Sequence, residues 1–440
     1  MQATPGFRLP RFVLPRAGID WAKWAVVACD QYTSEPEYWR EVERVVGDAP
    51  SALRLIFPEV FLGGADSAAR IGAIQAAMRA YLDQGLLQDH EGAVYVERRI
   101  GARTRRGLML ELDLEHYDYD AASTSLIRPT EGTIVARLAP RIEVRRGAEL
   151  ELPHVLVLID DPSCTVIEPL AAVRDEAPAL YDFELMQGGG HVAGHRVDAA
   201  RAERAVQALC ALAEPRAFGA RYGVADGTPA MLFAVGDGNH SLATAKSIWE
   251  ASKARLGPDH PSRYALVEVE NIHDPALEFE PIHRLLFGVK ADLRRALAEA
   301  FGPRLVLSEM ADAAAMRAHV AAAPESRPAV GLVEPGGRFA LAELADPPSG
   351  LAVACFQPFV DRLIEGGAAA EVDYVHGDDT LARLAQAPGH AGLHFPVPGK
   401  SALLRRVVHE GPLPRKTFSM GEAHEKRYYV EARRIRRPGD

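Results

Sequence analysis

The residues with the clearest chemical potential lie between positions 230 and 250, AMLFAVGDGNHSLATAKSIWE. An apolar run from Ala230 to Val235 enters the loop Gly236-Asp237-Gly238-Asn239-His240-Ser241, and a helical pattern follows from Leu242 to Arg255. Gly236 and Gly238 can adopt positive φ and let backbone N–H groups converge. Asn239 and Ser241 are helix-capping types, and N–H groups exposed at a helix start favour an anion, most naturally phosphate. The Walker pattern is missing, and Lys246 lies too far into the helix to act as its lysine. The same letters also suit a plain capped turn in which Asp237 and His240 satisfy backbone groups. Four polar residues crowded together favour a site.

A phosphate site needs positive charge. The candidates are Arg137 and Arg141 in RLAPRIEVR, Arg284, and Lys416, one of only seven lysines in the chain. Arginine can clamp an oxyanion in a bidentate way, and lysine supplies a point charge. Glu131, in Thr130-Glu131-Gly132-Thr133, stands at the mouth of a strand-like run, where a carboxylate could take a proton from a substrate hydroxyl. The alternative is a polar turn. Glu280-Pro281-Ile282-His283-Arg284 reads as the start of a short helix with Glu280 and His283 on one face, either at a ligand or as a cap and a half-buried histidine. Asp160 and Asp161 close the run HVLVLIDD, a strand-end position suited to Mg²⁺ or simply to solvated acids. His191 and His195 have helical spacing, but the glycines around them exclude a helical zinc motif and suggest a mobile lid.

At 440 residues the chain has room for two or three domains. Positions 1–290 read as a main α/β domain and 291–440 as a C-terminal α+β domain. Trp21 to Cys29 reads as a strand feeding a helix capped at Ser34, and Ala65 to Gly85 as a helix with apolar residues at Ile71, Ile74, Met78 and Leu82. Strands are expected through Gly92 to Val144, including TIVARL and IEVRR. HVLVLIDD is a strand buried on both faces. A helix from Asp198 to Ala213 and a final strand from Lys426 to Ile435 complete the pattern.

Composition removes several function classes. The formal net charge is −10, which argues against a nucleic-acid or anionic membrane surface. Cys29, Cys164, Cys210 and Cys355 form no C-x-x-C pair, so each is expected to be a small buried residue. No run of 18 apolar residues occurs, and the expectation is a cytoplasmic protein acting on a small molecule, with its oligomeric state open.

The segments GDGNHSLATAK, IRPTEGTIVARLAPRIEVR, FEPIHRLLF and LPRKTFSMGEAHEKRYYVE resemble the bacterial family called domain of unknown function 1015, over almost the whole chain. That family supplies no activity. Many of its members carry Asp-Gly-His-His-Arg where this chain has Asp237-Gly238-Asn239-His240-Ser241, a pattern similar to the phosphate box of the ParB/sulfiredoxin-like fold, which includes nucleotide-dependent free-serine kinases. The resemblance implies a mixed sheet core with Asp237 and His240 at the phosphates. The chain departs from the box at Asn239 and at Ser241, where the box has arginine, so charge neutralisation must come from elsewhere. The implied activity is a small-molecule kinase using ATP or ADP with Mg²⁺, with Asp237, His240, Glu131 and Lys416 in catalysis. Gly236, Gly238, Asn239, Ser241, Arg137, Arg141, Glu280, His283 and Arg284 would bind the nucleotide. A non-catalytic nucleotide sensor and a metal-dependent hydrolase using His240, His283 and Asp160 are the alternatives.

Overall fold

Tyr264–Asn271 (YALVEVEN) is buried along nearly its whole length, the pattern of a strand covered on both faces. It lies in the middle of a nine-stranded mixed sheet in the computed structural model, which describes residues 6–437. Across the sheet the order is Ile127–Pro129, Phe233–Asp237, Leu156–Ile159, Tyr264–Asn271, Arg103–Asp113, Val94–Ile100, Gly190–Arg196 and Tyr181–Leu185, with Phe7–Arg8 paired on Arg103–Asp113. Two pairings are parallel: Phe233–Asp237 on Ile127–Pro129, and Tyr264–Asn271 on Leu156–Ile159. The class is mixed α/β. One buried cluster holds Phe233, Leu209 and Trp249, and another holds Trp24, Trp39 and Tyr428. Among the described residues no helix is long and apolar enough to cross a membrane.

The chain forms two compact units. The first comprises the chain up to Leu277, Leu404–Pro412 and the segment from Ala423 onward, and the second comprises Glu278–Leu403 and Leu413–Glu422. The break thus follows Leu277 rather than residue 290, and the chain's last stretch returns to the first unit. The second unit is built on a six-stranded antiparallel sheet ordered Leu305–Met310, Arg338–Leu344, Ala329–Glu334, Ala391–His394, His283–Phe287 and Glu371–Val375.

Several local expectations are corrected. Leu138–Arg145 is a helix, not a strand: Leu138 and Ile142 share a helical face, and that spacing prevails over the short alternation in IEVRR. Glu280 and His283 lie on strands Phe279–Pro281 and His283–Phe287 rather than on a helix, because pairing on both edges of His283–Phe287 overrides the local helix-start signal. The supposed lid is the strand Gly190–Arg196, hydrogen-bonded on both sides; Gly194 is needed there because a Cβ would collide with the Tyr181 ring. Trp21–Trp24 is a short helix capped by Asp20. Within 426–435 only Arg433–Arg434 is a strand. Of the cysteines, Cys355 is buried but Cys164 is exposed.

The segment from Glu425 to Arg433 (EKRYYVEAR) is almost wholly buried despite its charge. Arg427 Nε donates to Glu268 (2.8 Å), Nη2 to Glu431 (2.7 Å) and Nη1 to the Pro153 carbonyl (2.8 Å). Gly107 leaves the room that Glu268 occupies. Arg433 donates to Glu151 at 2.6 Å. Burial opposes ionisation of Glu151, yet Arg433 and Arg145 hold its carboxyl down to about 2. Removing one member of such a set strands buried charge, which costs about 3–5 kcal/mol. Arg427→Ala is therefore expected to lower the unfolding free energy by about that amount in urea titration, whereas exposed Arg40→Ala should change it by less than about 1 kcal/mol.

Candidate functional site

Phe233–Asp237 ends in an irregular register: Val235 pairs with Val157 and Asp237 with Leu156, leaving Gly236 as an inserted residue. Such a bulge twists the strand end and re-aims the following side chain. Gly238 then takes a left-handed conformation (φ 76°) in front of the helix Asn239–Leu256, a backbone that glycine adopts without strain. A Cβ on Gly238 would also sit only 3.0 Å from Val155. No side chain caps this helix, so its first-turn N–H groups, which have no intrahelical acceptor, point outward. Asp237 Oδ1 accepts the Gly238 N–H at 3.1 Å, and Oδ2 lies 3.1 Å from the buried Nζ of Lys426.

The Val235 carbonyl ties the neighbouring strand end to this loop. It accepts the N–H and hydroxyl of Thr130 at 3.2 and 2.7 Å and the Asn239 side-chain amide at 3.3 Å. Pro129 is level with Val235, and Glu131 follows two residues after the end of that strand. Asn239 Oδ1 is buried with no hydrogen-bond partner among the described residues.

Ser241, in the first helical turn, meets His154 Nε2 at 2.8 Å, and His154 Nδ1 meets the Tyr429 hydroxyl at 2.8 Å. Tyr429 also accepts the Cys29 N–H at 3.1 Å. With the Tyr429 hydrogen on His154 Nδ1, a neutral His154 carries its proton on Nε2 and donates it to Ser241; with the opposite tautomer Ser241 donates to Nε2. Asp30 Oδ2 lies 3.9 Å from His154 Nε2. Burial disfavours its charge, but His154, the Gln31 hydrogen bond, Lys426 and Arg141 together hold the Asp30 carboxyl below its ordinary value. Glu59 is pushed up, by burial first and then by the Asp30 charge, although Arg141 sits 2.5 Å away. Burial likewise raises the Cys29 thiol, so it stays protonated.

The first unit therefore gathers Gly236, Asp237, Gly238, Asn239, His240 and Ser241 at one loop, with Glu131 on the adjoining strand end. Arg141 is held by Glu59 on the helix that packs beside Asn239–Leu256, and Arg137 is fully exposed. The Mg²⁺ reading of Asp160 and Asp161 is corrected. Asp161 accepts the N–H groups of Thr165 and Val166 at 2.5 and 2.9 Å, and Asp160 bonds Tyr222 and His273 at 2.6 and 2.7 Å. Both carboxylates thus serve the local chain, Asp161 as an acceptor for its own turn and Asp160 for Tyr222 and His273.

Glu280, His283, Arg284 and Lys416 belong to the second unit. Lys416 is exposed on a left-handed turn. Arg284 is fully buried, bonds Gln357 and the Ile282 carbonyl, and stacks on Phe395 and Tyr374, so a phosphate role for it is corrected to a packing one. His283, Asp378 and His394 are the one three-residue group of metal-ligand type among the described residues. However, His283 Nδ1 accepts the Phe395 N–H at 3.1 Å, which puts the ring proton on Nε2, donated to Asp378 at 2.9 Å. A metal at Nε2 would leave two donors facing each other at Nδ1. The group is a hydrogen-bonded clasp, and of the hydrolase set His240 and Asp160 belong to the first unit and His283 to the second.

Lys426, Tyr429, His154 and Asp30 were the site residues hidden from sequence reasoning. Only the rarity of lysine could have pointed to Lys426.

Comparison with protein families matches residues 13–364 to the model described as Protein of unknown function (DUF1015). The chain belongs to the DUF1015 family. The matched stretch of this DUF1015 chain ends before the segment that supplies Lys426 and Tyr429. A search of curated proteins finds no match. Among solved structures the chain is similar to a free serine kinase in complex with AMP, at 11% identity and TM-score 0.38, covering 74% of this chain and 91% of that one. A variant free serine kinase in complex with ADP gives 10% identity, TM-score 0.40 and coverages of 74% and 92%. A conserved hypothetical protein from Pyrococcus furiosus gives 10%, 0.37, 74% and 95%.

The clasp makes the second unit sensitive to acid. Burial lowers the His283 pKa below its ordinary value, an effect the Asp378 hydrogen bond only partly offsets. A histidine with a depressed folded pKa stabilises above its unfolded value and loses that contribution as pH falls. Below about pH 6.5 the loss is at most about 1.4 kcal/mol per pH unit. Hydrogen–deuterium exchange of peptide 283–287, corrected for intrinsic rate, should thus show falling protection from pH 7.5 to 5.5. His283→Asn should flatten that trend.

Proposed function

We propose that this protein is a nucleotide-dependent phosphotransferase of the small-molecule kinase type, acting on a hydroxyl-bearing metabolite. The observation that carries the reading is the start of the helix Asn239–Leu256: an uncapped helix N-terminus entered through Gly238, with the buried ammonium of Lys426 beside it. First-turn N–H groups, the helix dipole and a lysine all favour the negative charge of phosphate. Lys426 fills the role of the arginine that the resembling phosphate box has at the position of Ser241. Phosphoryl transfer asks a protein mainly for positioning and charge neutralisation, and both are available here without a nucleophilic side chain.

In this reading the N–H groups at 239–241, the Ser241 hydroxyl and Lys426 hold the phosphates of ATP or ADP. The acceptor oxygen attacks the terminal phosphorus, a new P–O bond forms, and the P–O bond to the departing nucleotide breaks, its electron pair leaving with that nucleotide. The acceptor proton passes to Glu131, two residues past the strand paired with Phe233–Asp237. Asn239 Oδ1, a buried acceptor, is suited to orient a ligand hydroxyl. Mg²⁺ carried in with the nucleotide would neutralise phosphate charge, and Asp237 would hold it only by giving up its contact with Lys426.

The test is ligand protection against thermal unfolding with ATP, ADP and AMP, each with and without Mg²⁺. A nucleotide at 100 times its dissociation constant adds about 2.7 kcal/mol. Lys426→Ala, which removes a charged hydrogen-bond donor worth about 1.5–3 kcal/mol, should weaken that nucleotide by at least about tenfold. Absence of protection by every nucleotide would refute the reading.

A further inference from the structure

A cavity of about 150 Å³ opens beside the first two turns of the helix Asn239–Leu256, where Ser241, Leu242, Thr244 and Ala245 line it. Its remaining lining divides by chemistry. Leu55, Phe57, Met78, Leu150 and Leu266 are buried apolar side chains. Glu59 and Arg141 are polar and retain 15% and 19% exposure, so the polar end is the end that meets solvent. His154 and Ser241 belong to the same polar group. A volume of this size accommodates a guest of about six carbons.

We propose that this cavity is the acceptor subsite and that the acceptor is an alcohol carrying an apolar body of about six carbons, with its hydroxyl at the polar end. The proposal rests on the phosphotransferase reading for the fate of that hydroxyl, but not for the binding itself. A zwitterionic acceptor is disfavoured, because the charged side chains of the lining are already paired with one another, Arg141 with Glu59 and Glu151 with Arg145 and Arg433. A nucleobase is disfavoured for a related reason. Most of its edge donors and acceptors would face the Leu, Phe and Met side chains that make up the larger part of the wall. Glu59, pushed toward its neutral form by burial and the Asp30 charge, suits an uncharged hydroxyl as neighbour.

The experiment titrates the full chain with straight-chain primary alcohols from 1-propanol to 1-octanol by calorimetry, and in parallel titrates ADP with and without saturating 1-hexanol. Each added methylene should tighten binding about fourfold, until the gain stops near six carbons. Val144→Ala, which widens the cavity, should move that break outward by one or two carbons, and Ala148→Phe, which fills it, should abolish the length dependence. ADP affinity should be unchanged by 1-hexanol. An alcohol series without length dependence, or competition between 1-hexanol and ADP, overturns the proposal; the wild-type series decides this even where a variant fails to fold. If the series behaves as expected while no nucleotide binds, the phosphotransferase reading fails and the subsite stands.

Discussion

The burial of Arg427 between Glu268 and Glu431 is the interaction on which the first unit depends. Its guanidinium has no route to bulk water, so both carboxylates must stay in place, and each fixes a different piece of chain. Glu268 lies on the central strand Tyr264–Asn271, while Glu431 belongs to the returning segment and also bonds the Tyr181 hydroxyl. A buried charge set of this kind is poor evidence for high stability. It does permit only one placement of the segment. With Arg427 pinned, Lys426 is held against Asp237 and Tyr429 against His154, and two distant stretches of sequence become one constellation.

That constellation is balanced rather than strongly charged. Asp30, Glu59 and Asp237 face Lys426 and Arg141, and the shifts of Asp30 and Glu59 in opposite directions record how unevenly the two cations are shared. The helix terminus breaks the balance. Its N–H groups carry partial positive charge, with Asp237 and Lys426 beside them, and this is where the proposed reading seats an anion. The bulge at Gly236 and the left-handed Gly238 serve this end by turning the strand so that amides, rather than side chains, face the opening.

How much of this could be read from sequence follows from how local each signal is. The loop was legible because glycine and capping residues act on their own backbone, and the buried strand HVLVLIDD because its apolar letters need no partner to be recognised. The mixed α/β class followed from the same patterns. Leu138–Arg145 and His283–Phe287 were not legible, since eight or fewer residues fit either period and tertiary pairing decides between them. Lys426 and Tyr429 were beyond reach for another reason: they lie far along the chain from Asp237 and His154, and a charged stretch such as EKRYYVEAR ordinarily signals a solvated surface. Arg284 shows the converse error, a charged residue with a plausible role that the structure encloses between aromatic rings.

The most direct test of the central claim, that the amides at the head of the helix Asn239–Leu256 receive phosphate beside Lys426, is a two-dimensional ¹⁵N amide spectrum recorded during titration with ADP. Labelling confined to asparagine, histidine and serine keeps Asn239, His240 and Ser241 resolvable. The account predicts saturable shifts at these three amides that are lost in Lys426→Ala. ADP-induced shifts confined to other amides, with these three unmoved, would contradict it.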